Sequence, residues 1–191
     1  MQVYRELGDK ASSIPFLSIV TRCFRRPTYL QANVESLKSQ TDPDYEQVFL
    51  VDEKGVGVGG ANRALALAEP RGEYVLVLDD DDMLSDTGAI TALKEAVAVD
   101  DPHLVIFKAD HDKLGILPHS NVWKNRPQCG YIGSCDFITR RDWWDRHIGA
   151  FGKPSQGDCA FLKRMWSHDP RVVWLDRQLA AVQRISNGRP E

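Results

Sequence analysis

Four consecutive carboxylates, Asp79 to Asp82, follow the short apolar run 74–78. That run has the length and composition of a strand buried on both faces. Adjacent like charges repel, and each raises its neighbour's pKa unless a cation is supplied. Carboxylates at the end of a parallel strand lie where open α/β sheets bind ligands, and hard oxygen ligands suit Mg²⁺ or Mn²⁺. The residues predict a divalent-metal site that receives a phosphorylated ligand. The alternative is a solvated acidic turn that caps the next helix through Asp86.

A glycine-rich segment provides a second candidate site. Gly55, Gly57 and Gly60 follow an apolar run and precede a helical pattern at 64–68, and Asp79 comes about 20 residues further on, as in dinucleotide-binding folds. One interpretation is therefore an NAD(P)-binding, Rossmann-type oxidoreductase, and another is a plain flexible loop. The further carboxylates beside Asp79 count against the first, because a ribose contact does not need them.

The elements that would position these groups alternate between strand and helix. Apolar runs predict strands at 16–20, 47–51, 74–78 and 104–107. Pro27 suits the first turn of a helix, and Asp86 is a candidate N-cap for another. This alternation is typical of a parallel, doubly wound sheet. The remaining predictions are an irregular lead-in at 1–13, a long loop at 110–128, a strand at 131–138, helices at 141–147 and around Phe161, and strands at 172–175 and 179–182.

Composition and charge limit the function classes. A chain of 191 residues with 42% hydrophobic content fits one globular domain. A net charge of −3 argues against a nucleic-acid partner. No signal pattern or long apolar run is present, which predicts no membrane span and a cytoplasmic location. No C-x-x-C pair occurs, so reduced thiols are expected at all four cysteines: Cys23, Cys129, Cys135 and Cys159.

The order of the motifs resembles the nucleotide-sugar half of family 2 glycosyltransferases of the GT-A fold. The resemblance runs over about residues 16 to 165, and five moderately specific pieces in the right order are hard to obtain by chance. These pieces are the segment 17–30, the helix with Ser36, Leu37 and Gln40, the pair Val51-Asp52, the segment 60–63 and the segment 72–84. The resemblance continues more weakly through 149–152 and Gly157-Asp158.

The resemblance implies a single GT-A-like α/β domain over 1–191, with a mostly parallel central sheet flanked by helices. Residues 16–108 would bind the nucleotide sugar, and 109–191 would form the acceptor side. The implied activity is metal-dependent, inverting transfer of a sugar from a nucleotide-diphosphate donor, UDP- or GDP-linked, to an acceptor hydroxyl. The acceptor and the oligomeric state remain open.

The resemblance also implies residue roles. Asp158 would be the catalytic base, and Asp81 with Asp79 would bind Mn²⁺ or Mg²⁺. Nucleotide-sugar contacts would come from Thr21, Arg22, Asp52, Asn62, Arg63, Asp79 and Asp80.

The sequence departs from the family's pattern at several positions. Arg22-Cys23-Phe24-Arg25 replaces the usual Pro-Thr-Tyr-Asn, Gly157 stands where an acidic residue is common, and 183–186 lacks a histidine that often completes the metal shell. A catalytically attenuated nucleotide-sugar-binding domain is therefore an open alternative. Arg25 and Arg26 either approach a diphosphate or are solvated at the helix start. Trp123, Trp143 and Trp144 are candidates for a sugar-stacking platform or for packing.

Overall fold

The computed structural model describes residues 1–9, 11–152 and 156–183. The strands among these residues are β1 (Gln2–Leu7), β2 (Leu17–Cys23), β3 (Tyr45–Val51), β4 (Tyr74–Val77), β5 (Asp82–Leu84), β6 (Leu104–Asp110), β7 (Ile116–Leu117), β8 (Phe137–Arg140) and β9 (Val172–Val182). The α-helices are α1 (Pro27–Lys38), α2 (Gly57–Ala64), α3 (Ala89–Ala98), α4 (Arg141–His147) and α5 (Gly157–Trp166). Short 3₁₀ helices cover Leu65–Leu67, Asp112–Leu114, Ser134–Asp136 and Ile148–Gly152.

The strands form one mixed sheet in the order β1-β3-β2-β4-β8-β6-β9-β5, with β7 paired to β6. β2 runs parallel to β3 and β4, and β6 runs parallel to β9. The other pairings are antiparallel: β8 lies between β4 and β6 and opposes both, and β1–β3, β5–β9 and β6–β7 are antiparallel as well. The prediction of a mostly parallel sheet is therefore only partly matched. The predicted division at 108/109 falls inside β6 and remains a functional prediction.

The core lies on both faces of the sheet. Leu76 and Leu78 pack with residues of α1 and α3, whereas Val75 and Val77 pack with residues of α2, α4 and α5. Because successive side chains of a strand point to opposite faces, this division confirms the buried strand predicted from the apolar run. The second layer also contains Trp143 and Trp144, which are 6% and 2% exposed. These two tryptophans are core residues, so a sugar platform built on them is wrong.

The chain start is a strand rather than the irregular lead-in predicted for 1–13. β1 pairs with β3 in antiparallel register. Arg5 of β1 donates to the fully buried Glu46 at 2.5 Å, and Glu46 also accepts hydrogen bonds from Ser18 and from the backbone of Arg71, both at 2.6 Å. The sequence carries no local signal for this strand, because the buried carboxylate that anchors it lies about 40 residues away.

Several element boundaries differ from the predictions. α2 begins inside the glycine-rich segment, at Gly57, and not after it. The helix that Asp86 was expected to cap begins at Ala89; the Asp86 side chain instead accepts the N–H of Gly88 at 2.8 Å. Most of 131–138 is turn and 3₁₀ helix, and the last two predicted strands are one strand, β9, with register shifts against β6.

Cys129 and Cys159 form a disulfide, whereas Cys23 and Cys135 are free and buried. The prediction of four reduced thiols is therefore wrong for this pair. A separation of 30 residues has no local signature, and only the fold brings the two cysteines together. The cytoplasmic location rested partly on those thiols and stays a prediction. Among the described residues, no helix is both long enough and apolar enough to span a bilayer.

Candidate active site

The carboxyl ends of β2, β3 and β4 meet the start of α2 in a cleft of about 370 Å³, here called the strand-end cleft. Four of the predicted residues line it: Arg22 near the end of β2, Asp52 directly after β3, and Asp79 and Asp81 after β4. Parallel neighbours end at the same edge of a sheet, which is why residues far apart in sequence meet here.

Arg22 and Asp79 form the central ion pair of the cleft. Arg22 donates through Nε to Asp79 Oδ1 at 2.5 Å and through Nη2 to Oδ2, so the guanidinium grips both carboxylate oxygens. Its third nitrogen donates to Oδ1 of Asn62, which is 4% exposed. Asn62 therefore acts in this structure by orienting Arg22 and does not itself line the cleft.

Arg26 binds the next two carboxylates. It donates to Asp80 and to Asp81, and its side chain is only 12% exposed. Asp80 is 1% exposed and also accepts the backbone N–H of Phe24 at 3.0 Å. Asp80 thus anchors the loop after β2 and lies behind the cleft, which does not support its predicted nucleotide contact. Arg26 is not a solvated residue of the helix start.

Buried amides hold the turn that carries the carboxylates, here called the acidic turn (79–82). Asn33 of α1 donates to the carbonyls of Asp79 at 3.0 Å and Asp82 at 2.8 Å. Gln47 donates to Asn33 at 2.8 Å and to the Thr21 hydroxyl at 2.9 Å. Thr21 is fully buried, so its side chain supports this network and does not reach a ligand in the cleft. Sequence reasoning missed Asn33 and Gln47 because their partners are remote in sequence.

Burial and mutual repulsion oppose ionisation of the carboxylates at Asp80, Asp81 and Asp82. Burial, opposed by Arg26 and the Phe24 N–H, raises the pKa of Asp80 to about 6. Burial together with the charges of Asp79 and Asp81 raises the pKa of Asp82 well above its ordinary value. Burial and the charge of Asp79 likewise raise the pKa of Asp81. These shifts have the direction predicted for consecutive carboxylates.

Three carboxylates of the acidic turn fit a divalent cation. One oxygen from each of Asp79, Asp81 and Asp82 lies within 4.8 Å of the others. Hard oxygen donors in such a group suit Mg²⁺ or Mn²⁺. Gln183 lies against the same turn, since its backbone N–H donates to the Asp81 carbonyl at 2.7 Å. Residues 184–186, where a completing histidine is missing from the sequence, lie outside the described residues.

Asp52 organises the glycine-rich segment. Its carboxylate accepts three backbone N–H groups, from Lys54 at 3.1 Å, Gly55 at 2.9 Å and Val56 at 2.7 Å. Gly55 and Gly57 have backbone φ angles of +74° and +72°, which residues other than glycine rarely adopt. The turn held by Asp52 therefore requires glycine at positions 55 and 57 for conformational reasons.

The strand order also differs from that of a dinucleotide-binding unit. In that unit the strand before the glycine segment neighbours the strand that ends in the ribose-binding acid. Here β3 and β4 lie on opposite sides of β2, so Asp79 does not follow the neighbour of β3. Nothing in this arrangement favours the oxidoreductase interpretation.

Asp158 lies in the first turn of α5, half-buried, within electrostatic range of Arg22 and Asp79. Burial raises its pKa. The preceding Gly157 has no room for a side chain, since a Cβ there would lie 2.5 Å from the Phe151 carbonyl oxygen. This contact explains the glycine at a position where the family commonly has an acid.

Arg63 does not share the cleft. It is exposed on α2, and its Cγ lies against Gly152. Its predicted nucleotide contact remains a prediction without support from its position. The structure therefore brings together Arg22, Asp52, Asp79 and Asp81, with Asp158 nearby, and places Thr21, Asn62, Arg63 and Asp80 outside the cleft lining.

No protein-family model and no curated protein matches the sequence. Solved structures do match. TarS from S. aureus (residues 1–349, in complex with UDP-GlcNAc) superposes with a TM-score of 0.69 and 16% identity over 91% of this chain and 60% of that chain. The mannosyltransferase PcManGT from Pyrobaculum calidifontis, in complex with GDP-Man and Mn²⁺, has a TM-score of 0.65 and 13% identity over 96% of this chain and 62% of that chain.

A smaller protein matches along nearly its whole length. A glycosyltransferase involved in glycosylation of the major capsid of PBCV-1 has a TM-score of 0.58 and 10% identity over 91% of this chain and 95% of that chain. By contrast, the chain spans only about 60% of the TarS and mannosyltransferase chains. At these identities the likeness concerns the fold and confirms the resemblance at that level. The chain therefore has the mixed α/β fold of glycosyltransferases of the GT-A type.

Proposed function

We propose that this protein is a metal-dependent, inverting glycosyltransferase that moves a sugar from a nucleotide-diphosphate donor, UDP- or GDP-linked, to an acceptor hydroxyl. One observation carries the proposal: the strand-end cleft gathers Arg22, Asp52, Asp79 and Asp81, and Asp158 lies within electrostatic range of Arg22 and Asp79. The bound UDP-GlcNAc of TarS and the GDP-Man and Mn²⁺ of the mannosyltransferase support this donor class.

The cleft has complementary parts for such a donor. Phe24, Leu50 and Val58 contribute an apolar wall suited to a nucleobase. Arg22 and the acidic turn form the charged side, where a diphosphate would lie. The GT-A fold and the three clustered carboxylates support Mn²⁺ or Mg²⁺ at Asp79, Asp81 and Asp82. When bound, the ion would neutralise the charge that develops on the departing nucleoside diphosphate.

Asp158 is proposed as the general base. Its carboxylate would accept the proton of the acceptor hydroxyl while that oxygen attacks the anomeric carbon. The bond between the anomeric carbon and the phosphate oxygen breaks in the same displacement, so the anomeric configuration inverts and no covalent enzyme intermediate forms. Arg22 is held by Asp79 and Asn62 and would keep the donor in line.

A catalytically attenuated sugar-nucleotide-binding domain is the second candidate. One observation favours it, namely that Arg22 and Arg26 already pair with three of the four carboxylates of the acidic turn. This candidate predicts nucleotide binding without turnover of the donor.

A thermal-shift panel tests the proposal. UDP, GDP, CDP and dTDP are each added with and without Mn²⁺. NAD⁺ and NADP⁺ are added in the same way, as the ligands that the oxidoreductase interpretation predicts. We expect the melting temperature to rise with a nucleoside diphosphate only when metal is present. Asp81→Ala should abolish this rise, whereas Asp100→Ala, an exposed acid after α3, should not. A metal-independent rise with NAD⁺ would overturn the proposal, and release of UDP from UDP-GlcNAc or GDP from GDP-Man separates the two candidates.

A further inference from the structure

A histidine and a buried carboxylate form a second polar cluster on the far side of β4 from Arg22 and Asp52. His111 directly follows β6, and Asp136 directly precedes β8. β8 runs antiparallel to both β4 and β6, so its start lies beside the ends of those two strands. His111 and Asp136 therefore lie at the same edge of the sheet as the acidic turn.

The pair is rigidly held. His111 Nε2 and Asp136 Oδ1 are 2.7 Å apart, and Asp136 Oδ2 accepts the N–H of Gly133 at 2.6 Å. Asp136 is fully buried. A Cβ on Gly133 would lie 2.9 Å from Cε1 of the imidazole, so the ring packs directly against this glycine. Asp136 thereby fixes the orientation of the ring.

One ring nitrogen remains for a ligand. Within the described residues, Nδ1 of His111 has no hydrogen-bond partner. Unlike the two ring nitrogens of His147, which are unpartnered and inaccessible to solvent, it is not fully buried. The His111 side chain is 14% exposed. The neighbouring Cys135 thiol is 3.6 Å from Asp136 and 4.0 Å from His111, which raises the question of a metal. Two ligands of a tetrahedral ion are roughly 3.3 Å apart at bond lengths near 2.0 Å. The 2.7 Å contact is therefore a hydrogen bond.

The surroundings of the pair identify what it would bind. His111 lies within electrostatic range of Asp158 and Asp110, and Cys135 within range of Asp79 and Asp82. The pair is thus within electrostatic range of the proposed base and close to the acidic turn, and the sugar of a bound donor must lie near both for its anomeric carbon to face the base. Burial opposes protonation of His111, but the hydrogen bond and the charge of Asp136 raise its pKa overall.

We propose that His111, positioned by Asp136, binds a hydroxyl of the sugar in the nucleotide-sugar donor and so contributes to sugar specificity. This inference rests on the proposed function, because it needs a donor in the strand-end cleft. A hydrogen bond to a group of this kind contributes about ten- to hundredfold in affinity. The contribution should appear with the sugar nucleotide and be absent with the bare nucleoside diphosphate.

The test compares dissociation constants for UDP with UDP-GlcNAc, and for GDP with GDP-Man, all with Mn²⁺ and by calorimetry. His111→Gln retains an amide that reaches Asp136 but removes Nδ1. We expect it to weaken binding of the recognised sugar nucleotide at least about tenfold and leave the nucleoside diphosphate unchanged. Asp136→Asn, which is isosteric, should give a smaller loss with the same selectivity. His103→Gln is the control, since His103 stacks on Trp143 at 4.1 Å on α4.

The possible failures are distinguishable. If neither nucleoside diphosphate binds the unaltered protein, the proposed function fails and the inference fails with it. If UDP or GDP binds, but His111→Gln leaves the ratio of the two constants unchanged or weakens both ligands equally, only the inference is overturned. Stoichiometric zinc that is lost in His111→Gln would also overturn it, since the cluster would then be a metal site.

Discussion

At the scale of single residues, the acidic turn is compensated by two arginines, one near the end of β2 and one in the loop that follows it. Arg22 pairs with Asp79, and Arg26 bridges Asp80 and Asp81. A cation at the start of α1 opposes the helix dipole, so its position there has a cost that these contacts offset. The same two arginines would compete with a metal for carboxylate oxygens, so we expect them to lower the metal affinity of the proposed site.

Replacement of Arg26 tests this compensation. Arg26→Gln leaves Asp80 buried with no guanidinium partner, so we expect the free energy of unfolding to fall by about 3 kcal/mol. Mn²⁺ should stabilise this variant more than the unaltered protein, because one competitor for the carboxylates is gone. Urea unfolding followed by circular dichroism, with and without Mn²⁺, measures both effects. The exposed Arg25→Gln is the control, and equal Mn²⁺ responses in all three proteins would contradict the expectation.

The proposed base gives a prediction about pH. Burial raises the pKa of Asp158 above its ordinary value of 3.8. A base acts in its deprotonated form, so the activity should be lost as pH falls through this raised pKa, at a higher pH than for an exposed aspartate. Asp158→Asn should lower kcat by about 10²- to 10⁴-fold and leave nucleoside diphosphate binding intact. Transfer rates between pH 4 and 8 measure both; an unchanged kcat in the variant would remove Asp158 from the mechanism.

At the scale of elements, the start of α5 must approach α2 closely to place Asp158. A Cβ at Gly157 would lie 2.7 Å from Asn62 Nδ2 as well as 2.5 Å from the Phe151 carbonyl. Because Asn62 orients Arg22, displacement of α5 would disturb the base and the ion pair of the cleft together.

Gly157→Ala tests this contact. We expect a loss of about 1–3 kcal/mol in stability from overpacking and a larger loss in transfer rate than the stability change explains. Gly149→Ala is a matched control, since a Cβ at Gly149 meets nothing within 4 Å. Urea unfolding and transfer assays on both variants measure these losses. Equal stability and equal transfer rates in the two variants would mean that the close approach of α5 to α2 does not matter for the site.

The anchoring of β1 predicts a second element-scale effect. Glu46→Gln removes the charge that Arg5 pairs with, and we expect the free energy of unfolding to fall by about 3 kcal/mol. Burial opposes ionisation of Glu46, but hydrogen bonds from Ser18, the Arg71 backbone and Arg5 lower its pKa overall. The stabilisation is therefore present above the ordinary pKa of 4.5 and is lost as pH falls through the lower folded value.

Urea unfolding of the unaltered protein and of Glu46→Gln from pH 7 down to 3 measures the difference in their free energies of unfolding. This difference should shrink as the pH falls. The exposed Glu73→Gln serves as control. A difference that grows towards low pH would contradict the sign derived for Glu46.

At the scale of the whole molecule, the disulfide ties the irregular segment before β8 to α5. For a separation of 30 residues, loop closure in the unfolded state corresponds to about 3–4 kcal/mol. We expect Cys129→Ala with Cys159→Ala to lower the free energy of unfolding by about this amount. A thiol reductant should do the same to the unaltered protein and nothing further to the double variant. If reductant leaves the unfolding midpoint of the unaltered protein in place, the bond does not form in solution.

Features carried by adjacent residues could be predicted from the sequence. The apolar run at 74–78, the acidic turn and the start of α1 at Pro27 are local patterns, and the structure confirms them. The antiparallel β8, the disulfide, the carbonyls to which Asn33 donates and the carboxylate partner of His111 depend on residues 25 or more positions away. Asp80 shows the limit most clearly, because its sequence neighbours line the cleft while the backbone of the turn directs it behind.

The placement of the tryptophans has a spectroscopic consequence. All five lie between residues 123 and 174, and the strand-end cleft has none in its lining. Trp123 and Trp174 meet edge to face at 5.1 Å, with Lys108 over the Trp123 ring. Tryptophan fluorescence should therefore change little when a nucleotide binds in the cleft, and should instead report changes around residues 123–174. A nucleoside diphosphate with a fluorescent ribose label would receive excitation energy from these indoles. One titration could then follow occupancy of the cleft, and a second, unlabelled one could follow changes around the tryptophans.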